Sequence, residues 1–277
     1  MVESLNNSTG VLGALRALQA ARAESSAAET RRSSGFRVNG ASDDATAYKA
    51  AASMEGQVGS LKAVSLSLGR AESISELSIT AGEQVSALLI EMKGLATQAQ
   101  QADFSEDQRE TLNRQFKDKR AALETFIRAA SFDGANILDG TKPLGINFIA
   151  DADGVQTLTL KGRNLMPGGS VVTLGAAHDL SSPEAATQSA LALEESIKNV
   201  GVELTDMGAE AKRVEAQIGF VSRLADALAD GVGRLVDADM AEESVLIQAL
   251  QVKQQLSAEA ISIVNSAPRT LLTLFRS

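Results

Sequence analysis

Apolar residues recur at alternating spacings of four and three along both ends of this 277-residue chain, the repeat that lines one face of an α-helix. The residues that break helices are concentrated elsewhere. The first 142 residues contain no proline and the last 44 no glycine, whereas residues 131–180 hold eight of the 22 glycines and two of the four prolines. Two long helical ends flanking an irregular middle is the organisation this predicts.

A first helix is expected to start after Ser4 and to carry Leu5, Val11, Leu12, Leu15 and Leu18 among many alanines to about Arg32, small residues that let a neighbouring helix approach closely. Gly35 and Gly40 then interrupt the pattern. Ser42 reads as the N-cap of a second helix with Asp43 and Asp44 in its first turn, running to about Gln101 on a seam of Ile74, Ala81, Val85, Leu88, Met92, Leu95 and Ala99. Ser105 with Gln108 is a capping-box pattern that opens a shorter helix, with Leu112, Phe116, Leu123 and Phe126 inward and Gly134 as its stop.

Between Gly134 and His178 the period changes to alternation. Ile146, Phe148 and Ala150, a turn at Asp151–Gly154, then Val155, Thr157 and Thr159 against Leu158 and Leu160 predict a β-hairpin. A further short strand is expected near Val171–Leu174. Ser182 as N-cap with Pro183 in the first helical position launches another long helix, its seam Val214, Ile218, Val221, Ala225, Leu228, Val232 and Leu235.

The last helix is expected from about Asp239 to near Phe275, with Val245, Ala249, Val252, Leu256, Ala260, Ile263 and Ala267 on one face. Plotted at ~100° per residue, Ile247, Leu250 and Ile261 fall on the far side, which leaves only Gln248, Gln251, Gln255, Glu259 and Ser262 as a polar stripe. The first helix can cover one side of such a cylinder. Other copies of the chain are expected to cover the rest.

The fold class is therefore mainly α: a long antiparallel helical coiled-coil bundle of paired N- and C-terminal helices, with a small β-hairpin region in mid-chain. Aromatic residues make up only 3% and tryptophan is absent, so the core must be built from Ala, Leu, Val and Ile, which suit thin bundles.

A net charge of −9 argues against nucleic acid and anionic membrane surfaces, since phosphate neutralisation needs clustered Lys and Arg. No cysteine is present, so disulfides and thiol chemistry are excluded. No apolar run approaches the ~18 residues of a membrane span, and Met1 to Gly10 has no basic region followed by an apolar stretch. Export without a cleaved signal peptide is the expectation if the protein leaves the cell.

Candidate chemistry is thin. His178 stands in a loop with no nucleophile patterned nearby. Asp151, Asp153 and Gly154 echo the start of a calcium loop, but the twelfth position is Gly162 where a bidentate Glu is needed. Asp43, Asp44, Asp237 and Asp239 sit at helix starts, which explains them as caps better than as paired catalytic acids. Neither cofactor, metal nor enzymatic role is expected.

RRSSGFRVNGASDDATAYKAA (31–51), MKGLATQAQ (92–100), FIRAASFDGANILDG (126–140), LVDADMAEES (235–244) and the ending SAPRTLLTLFRS together resemble bacterial flagellin, of the short two-domain, alphaproteobacterial-like type. The resemblance implies a structural subunit of the extracellular flagellar filament, a hollow helical tube that acts as a swimming propeller. An inner domain would comprise 1–42 and 236–277, and an outer domain with the hairpin 43–235.

Self-assembly is then expected through Leu5, Leu12, Leu15, Leu18, Val245, Ile247, Leu250, Val252, Leu256, Ile261 and Ile263, and a channel lining of Gln248, Gln251, Gln255 and Ser262. Gly35, Asn39, Asp43, Asp44, Asp237 and Asp239 would form the inter-domain connection. Implied partners are other copies and related flagellins, hook-associated and cap proteins, an export chaperone and the flagellar type III export apparatus. A hook–filament junction protein shares paired terminal helices and is the alternative; a chemoreceptor-type signalling rod would normally need membrane spans or a partner membrane protein.

Overall fold

The computed structural model describes residues 9–274, with side chains described over 11–263. The expected N-cap Ser4, the assembly residue Leu5 and the expected helix end at Phe275 lie outside the described residues. Five helices and one hairpin follow in the order α1 (Thr9–Ser34), α2 (Ala45–Gln98), α3 (Glu106–Ala129), β1 (Ile146–Ile149), β2 (Thr157–Leu160), α4 (Pro183–Val236) and α5 (Met240–Leu274). At 54 residues each, α2 and α4 are about 81 Å long. The chain divides into two compact units, one of residues 1–56 with 227–277 and one of residues 57–226, the boundaries falling inside α2 and α4.

The start signals hold at three helices. Ser105 and Gln108 form the full capping box of α3, the Ser182 hydroxyl accepts from Ala185 N–H before α4, and Asp239 Oδ1 accepts from Ala241 and Glu242 N–H before α5. At α2 the expectation of Ser42 is corrected. Asp44 is the cap, its Oδ1 accepting from Thr46 and Ala47 N–H at 3.0 Å, because a carboxylate so placed reaches two of the free donors of the first turn.

In the second unit α3 and α4 each run antiparallel to α2. Glu91 of α2 pairs with Lys119 of α3, and Arg109 of α3 donates to the carbonyls of Ala99 and Gln101 just past the α2 end. Lys93 pairs with Glu194 of α4, while Gly82 lies against Leu204. Ile74, Val85, Leu89 and Met92 of α2, with Ala99 just beyond it, meet Phe116, Leu123 and Ile127 of α3 and Val200, Met207 and Val214 of α4 in one core. Phe126, expected inward, is 44% exposed, and its neighbour Ile127 is the buried residue. From Phe116 and Leu123, Ile127 continues the four-residue step that stays on the face.

The hairpin is antiparallel with Ile146 opposite Leu160 and Phe148 opposite Leu158, and Phe148, Leu158 and Leu160 point into the core. Asp151–Gly154 is its turn region, with Gln156 N–H bonded to Asp151 Oδ1 and Gly154 at φ 71°. Gly134 does not stop α3, which ends at Ala129. It forms with Asp133 the left-handed centre of a two-residue turn, φ 49° and 72°, across which Phe132 and Ala135 pair. The strand expected at Val171–Leu174 is absent: Val171, Val172 and Leu174 are all buried, and Thr173 bonds the Ser196 hydroxyl of α4 in place of a strand.

Arg163, following the hairpin, is 6% exposed. Its Nε donates to Glu203 Oε2 at 2.7 Å and its Nη2 to Glu210 Oε1 at 3.0 Å, both on α4, and Glu210 also accepts from Lys161 N–H. Burial works against the guanidinium charge, but the hydrogen bonds and charges of Glu210 and Glu203 outweigh it and raise its pKa.

Candidate assembly surface

In the first unit α1 and α5 pack side by side and antiparallel. Arg31 of α1 meets Glu243 near the start of α5, and Gln254 Nε2, further along, reaches back to the Ala21 carbonyl at 3.2 Å. The contact face of α1 is Ala21, Ser25 and Ala28, each at most 6% exposed, with Leu18 half-buried. Small side chains there let the two backbones come close, and the long residues are supplied by α5.

Those residues are Ile247 and Leu250, both 3% exposed, in line with Glu243 and Gln254. Expected among the assembly residues, both are covered by α1 within the subunit, and Ile261 on the same side is half-buried. The opposite face is bare. Val245, Val252, Leu256 and Ile263 are 55–68% exposed, and at about 100° per residue they fall within one stripe about 40° wide. Leu12 and Leu15 of α1 are likewise exposed.

Gln248, Gln251, Gln255 and Ser262 are all exposed and form a second stripe about a quarter turn from the apolar one. The α5 circumference thus includes a covered apolar face, an exposed apolar stripe and an exposed amide stripe. Four exposed aliphatic side chains in register along one helix are the kind of contiguous patch that marks an interaction site.

Sequence reasoning missed the charged member of the covered face. Arg31 grips Glu243 with Nε at 2.6 Å and Nη2 at 3.1 Å, and the hydrogen bond to Glu243 holds its pKa above the ordinary value. The signal was available: Glu243 stands four residues before Ile247 and seven before Leu250, a charge at a core position of the repeat.

Of the expected connection residues, the structure brings Gly35 and Asp237 together across about 200 positions of sequence and Asn39 against Asp43, all within the first unit, whereas Asp44 and Asp239 cap α2 and α5. Gly35, at φ 78°, turns the chain after α1 and its carbonyl accepts from Ala238 N–H, while Phe36 bridges to Asp237. Arg37 and Val38 N–H both donate to the Val236 carbonyl. Asp43 Oδ2 accepts from Asn39 and Gly40 N–H, and Asn39 Nδ2 donates to the Ser34 hydroxyl. Beneath this joint Val38, Ala47, Ala51 and Val236 form a small core.

Among the described residues no cluster of His, Cys, Asp or Glu could hold a metal ion, and no helix is long and apolar enough to cross a membrane. His178 Nδ1 accepts from Gly175 N–H in a loop that Arg120 ties down through the carbonyls of Gly175, Ala176 and His178.

The chain matches the family model of the bacterial flagellin N-terminal helical region over residues 5–143 and that of the C-terminal helical region over 191–275. It is 42% identical to flagellin FljJ of Caulobacter vibrioides over 71% of each chain, and 31% identical to flagellin FljM of the same organism over 99% of each. The solved structure described as a flagellar hook-associated protein of Vibrio parahaemolyticus superposes with a TM-score of 0.59 at 14% identity, over 70% of this chain and all of that one, a likeness of fold alone. Paired terminal helices, both halves of the family pattern and full-length relatives agree: the chain belongs to the bacterial flagellins of alphaproteobacterial type and is a self-associating structural subunit of the extracellular flagellar filament.

Proposed function

We propose that the bare apolar stripe of α5, Val245, Val252, Leu256 and Ile263, joined by Leu12 and Leu15 of α1, is the surface through which copies stack around the filament axis. The single observation carrying this reading is the stripe itself, exposed along several turns of a helix whose opposite face is already occupied. Each such side chain gives up ~1.5–3 kcal/mol by staying in water. The amide stripe of Gln248, Gln251, Gln255 and Ser262 then faces the central channel, where neutral hydrogen-bonding groups let an unfolded chain pass without sticking. A filament density map tests both assignments: aliphatic stripe against water, or glutamines packed against neighbouring subunits, would overturn them.

In this reading residues 1–42 and 236–277 form the inner tube and 43–235 the outer layer. The joint of Gly35, Asn39, Asp43, Asp44, Asp237 and Asp239 connects them. The subunit acts structurally and catalyses nothing. It leaves the cell unfolded through the flagellar type III export apparatus, guided by an export chaperone, and meets hook-associated and cap proteins at the filament ends. The junction-protein alternative is less supported, because the full-length relatives are flagellins and the hook-associated likeness stands at 14% identity.

A further inference from the structure

The joint contains a chemical feature that neither its geometry nor assembly requires. Of the nine asparagines only Asn39 is followed by glycine. Gly40 is not among the positive-φ glycines, and a Cβ on it would meet nothing nearer than the Ser42 hydroxyl at 3.8 Å. The backbone therefore does not need glycine there. What its missing side chain does provide is open access of the Gly40 main-chain nitrogen to the Asn39 side-chain carbon. The other asparagines with described side chains precede Arg114, Ile137, Phe148, Leu165 and Val200, whose bulk obstructs that approach; Asn136 is also buried, and Asn113, Asn147 and Asn199 are held in α3, β1 and α4. Asn39 is exposed and outside any helix or strand.

We propose that Asn39 is a spontaneous deamidation site, with water as its co-reactant, that makes the joint acidic as the subunit ages. Hydroxide takes the Gly40 N–H proton, the nitrogen attacks Asn39 Cγ, and the new N–Cγ bond closes a five-membered succinimide. The Cγ–Nδ2 bond breaks and the amide nitrogen leaves, protonated, as ammonia. Water then opens the ring at either carbonyl, giving aspartate or isoaspartate; no oxidation state changes. Two hydrogen bonds must open first, Asn39 Nδ2 to Ser34 Oγ at 2.8 Å and Gly40 N–H to Asp43 Oδ2 at 3.2 Å, so the reaction draws on opened forms of the joint.

The product changes what the joint can bond. Ser34 Oγ now accepts from Asn39 and from Phe36 N–H. An acid at 39 reverses the first of these and faces the Asp43 carboxylate, which already sits on the residue 39 N–H. Isoaspartate adds a methylene to the main chain one residue after Val38, whose N–H is bonded to Val236.

Purified full-length protein held in mildly alkaline buffer and mapped by peptide mass spectrometry tests this, with a synthetic peptide spanning 36–44 in the same tube as a clock. Conversion at Asn39, part of it isoaspartate, is expected while the asparagines of the helices and hairpin stay amides. Gly40→Ala, which fits the backbone, is expected to slow it about tenfold, ~1.4 kcal/mol in barrier, with an unchanged melting curve. An intact Asn39 after the peptide has fully converted, or conversion of Gly40→Ala at the wild-type rate, overturns the proposal.

Discussion

Leu250 and Leu256 are the same residue on the same helix, less than two turns apart, and the structure puts them in opposite surroundings. Leu250 is 3% exposed against α1, whereas Leu256 is 61% exposed. Truncating a buried leucine to alanine costs ~2–5 kcal/mol, and a two-helix contact that can partly collapse belongs at the low end. Leu250→Ala should therefore weaken the α1–α5 pair in the isolated subunit by about 2 kcal/mol. Leu256→Ala should leave the subunit within ~0.5 kcal/mol of wild type, because its side chain is mostly in water there.

In the filament the order reverses. Burying a whole leucine is worth ~1.5–3 kcal/mol, and about three-fifths of Leu256 remains to be buried, so the assembled state should lose about 1–2 kcal/mol per subunit. At tenfold per ~1.4 kcal/mol, the critical concentration for seeded growth should rise about 5- to 30-fold. Sedimentation of the unpolymerised fraction after seeding measures that concentration, and hydrogen exchange across α1 and α5 in the subunit measures the first effect. Leu256→Ala filaments with a wild-type critical concentration, or equal loss of exchange protection in both variants, would refute the division of α5 into covered and bare faces.

Glu210→Ala leaves the buried Arg163 without its bidentate partner and should destabilise the second unit by about 3–5 kcal/mol in thermal or urea melts, against a smaller loss for the half-exposed partner in Glu203→Ala. A Cβ on Gly162 would run into the Lys142 carbonyl, so Gly162→Ala should cost ~1–3 kcal/mol or more, while Gly94→Ala in α2, with open space around it, should raise stability by ~0.5–1 kcal/mol. Asp179 is held below its ordinary 3.8 by the Ser181 hydroxyl and then the Ser181 N–H. A carboxyl with a depressed folded value contributes stability above its unfolded pKa and loses it as pH falls through the folded one; Asp179→Asn should lower the melting temperature at neutral pH and make no difference below that range.

The helices were legible because their boundaries are written locally, in Ser105 with Gln108, Ser182 with Pro183, and Asp239. The hairpin was legible because Leu158 and Leu160 alternate with Thr157, Thr159 and Lys161, opposite a strand in which Phe148 follows Asn147. What failed was any choice between two equally apolar surfaces. On α5 periodicity offers Val245–Ile263 and Ile247–Leu250 alike, and the deciding residues are elsewhere, in the Ala21, Ser25 and Ala28 face of α1. Phe126 and Ile127 posed the same ambiguity on α3. The apolar run at Val171–Leu174 carries no alternation, and its polar groups are satisfied by Ser196 and Asn199 of α4, partners no local pattern reveals. Arg163 was invisible for the same reason, although Glu203 and Glu210, seven apart, mark one face of α4.

The covered face of α5 also explains why a charge belongs among its aliphatics. Alanine and serine on α1 fix how close the helices come but leave their axial register loose, because a smooth surface of small residues fits a neighbour at several offsets. A bidentate Arg31–Glu243 pair and the Gln254–Ala21 bond fit at one offset only; a shift by one turn, about 5.4 Å, would break both and strand a mostly buried carboxylate. Register matters here beyond the pair itself. The exposed stripe of α5 and Leu12 and Leu15 of α1 form one continuous surface only if the two helices are aligned, so under the proposed stacking a device that contributes little net stability sets the shape a neighbouring copy would have to match.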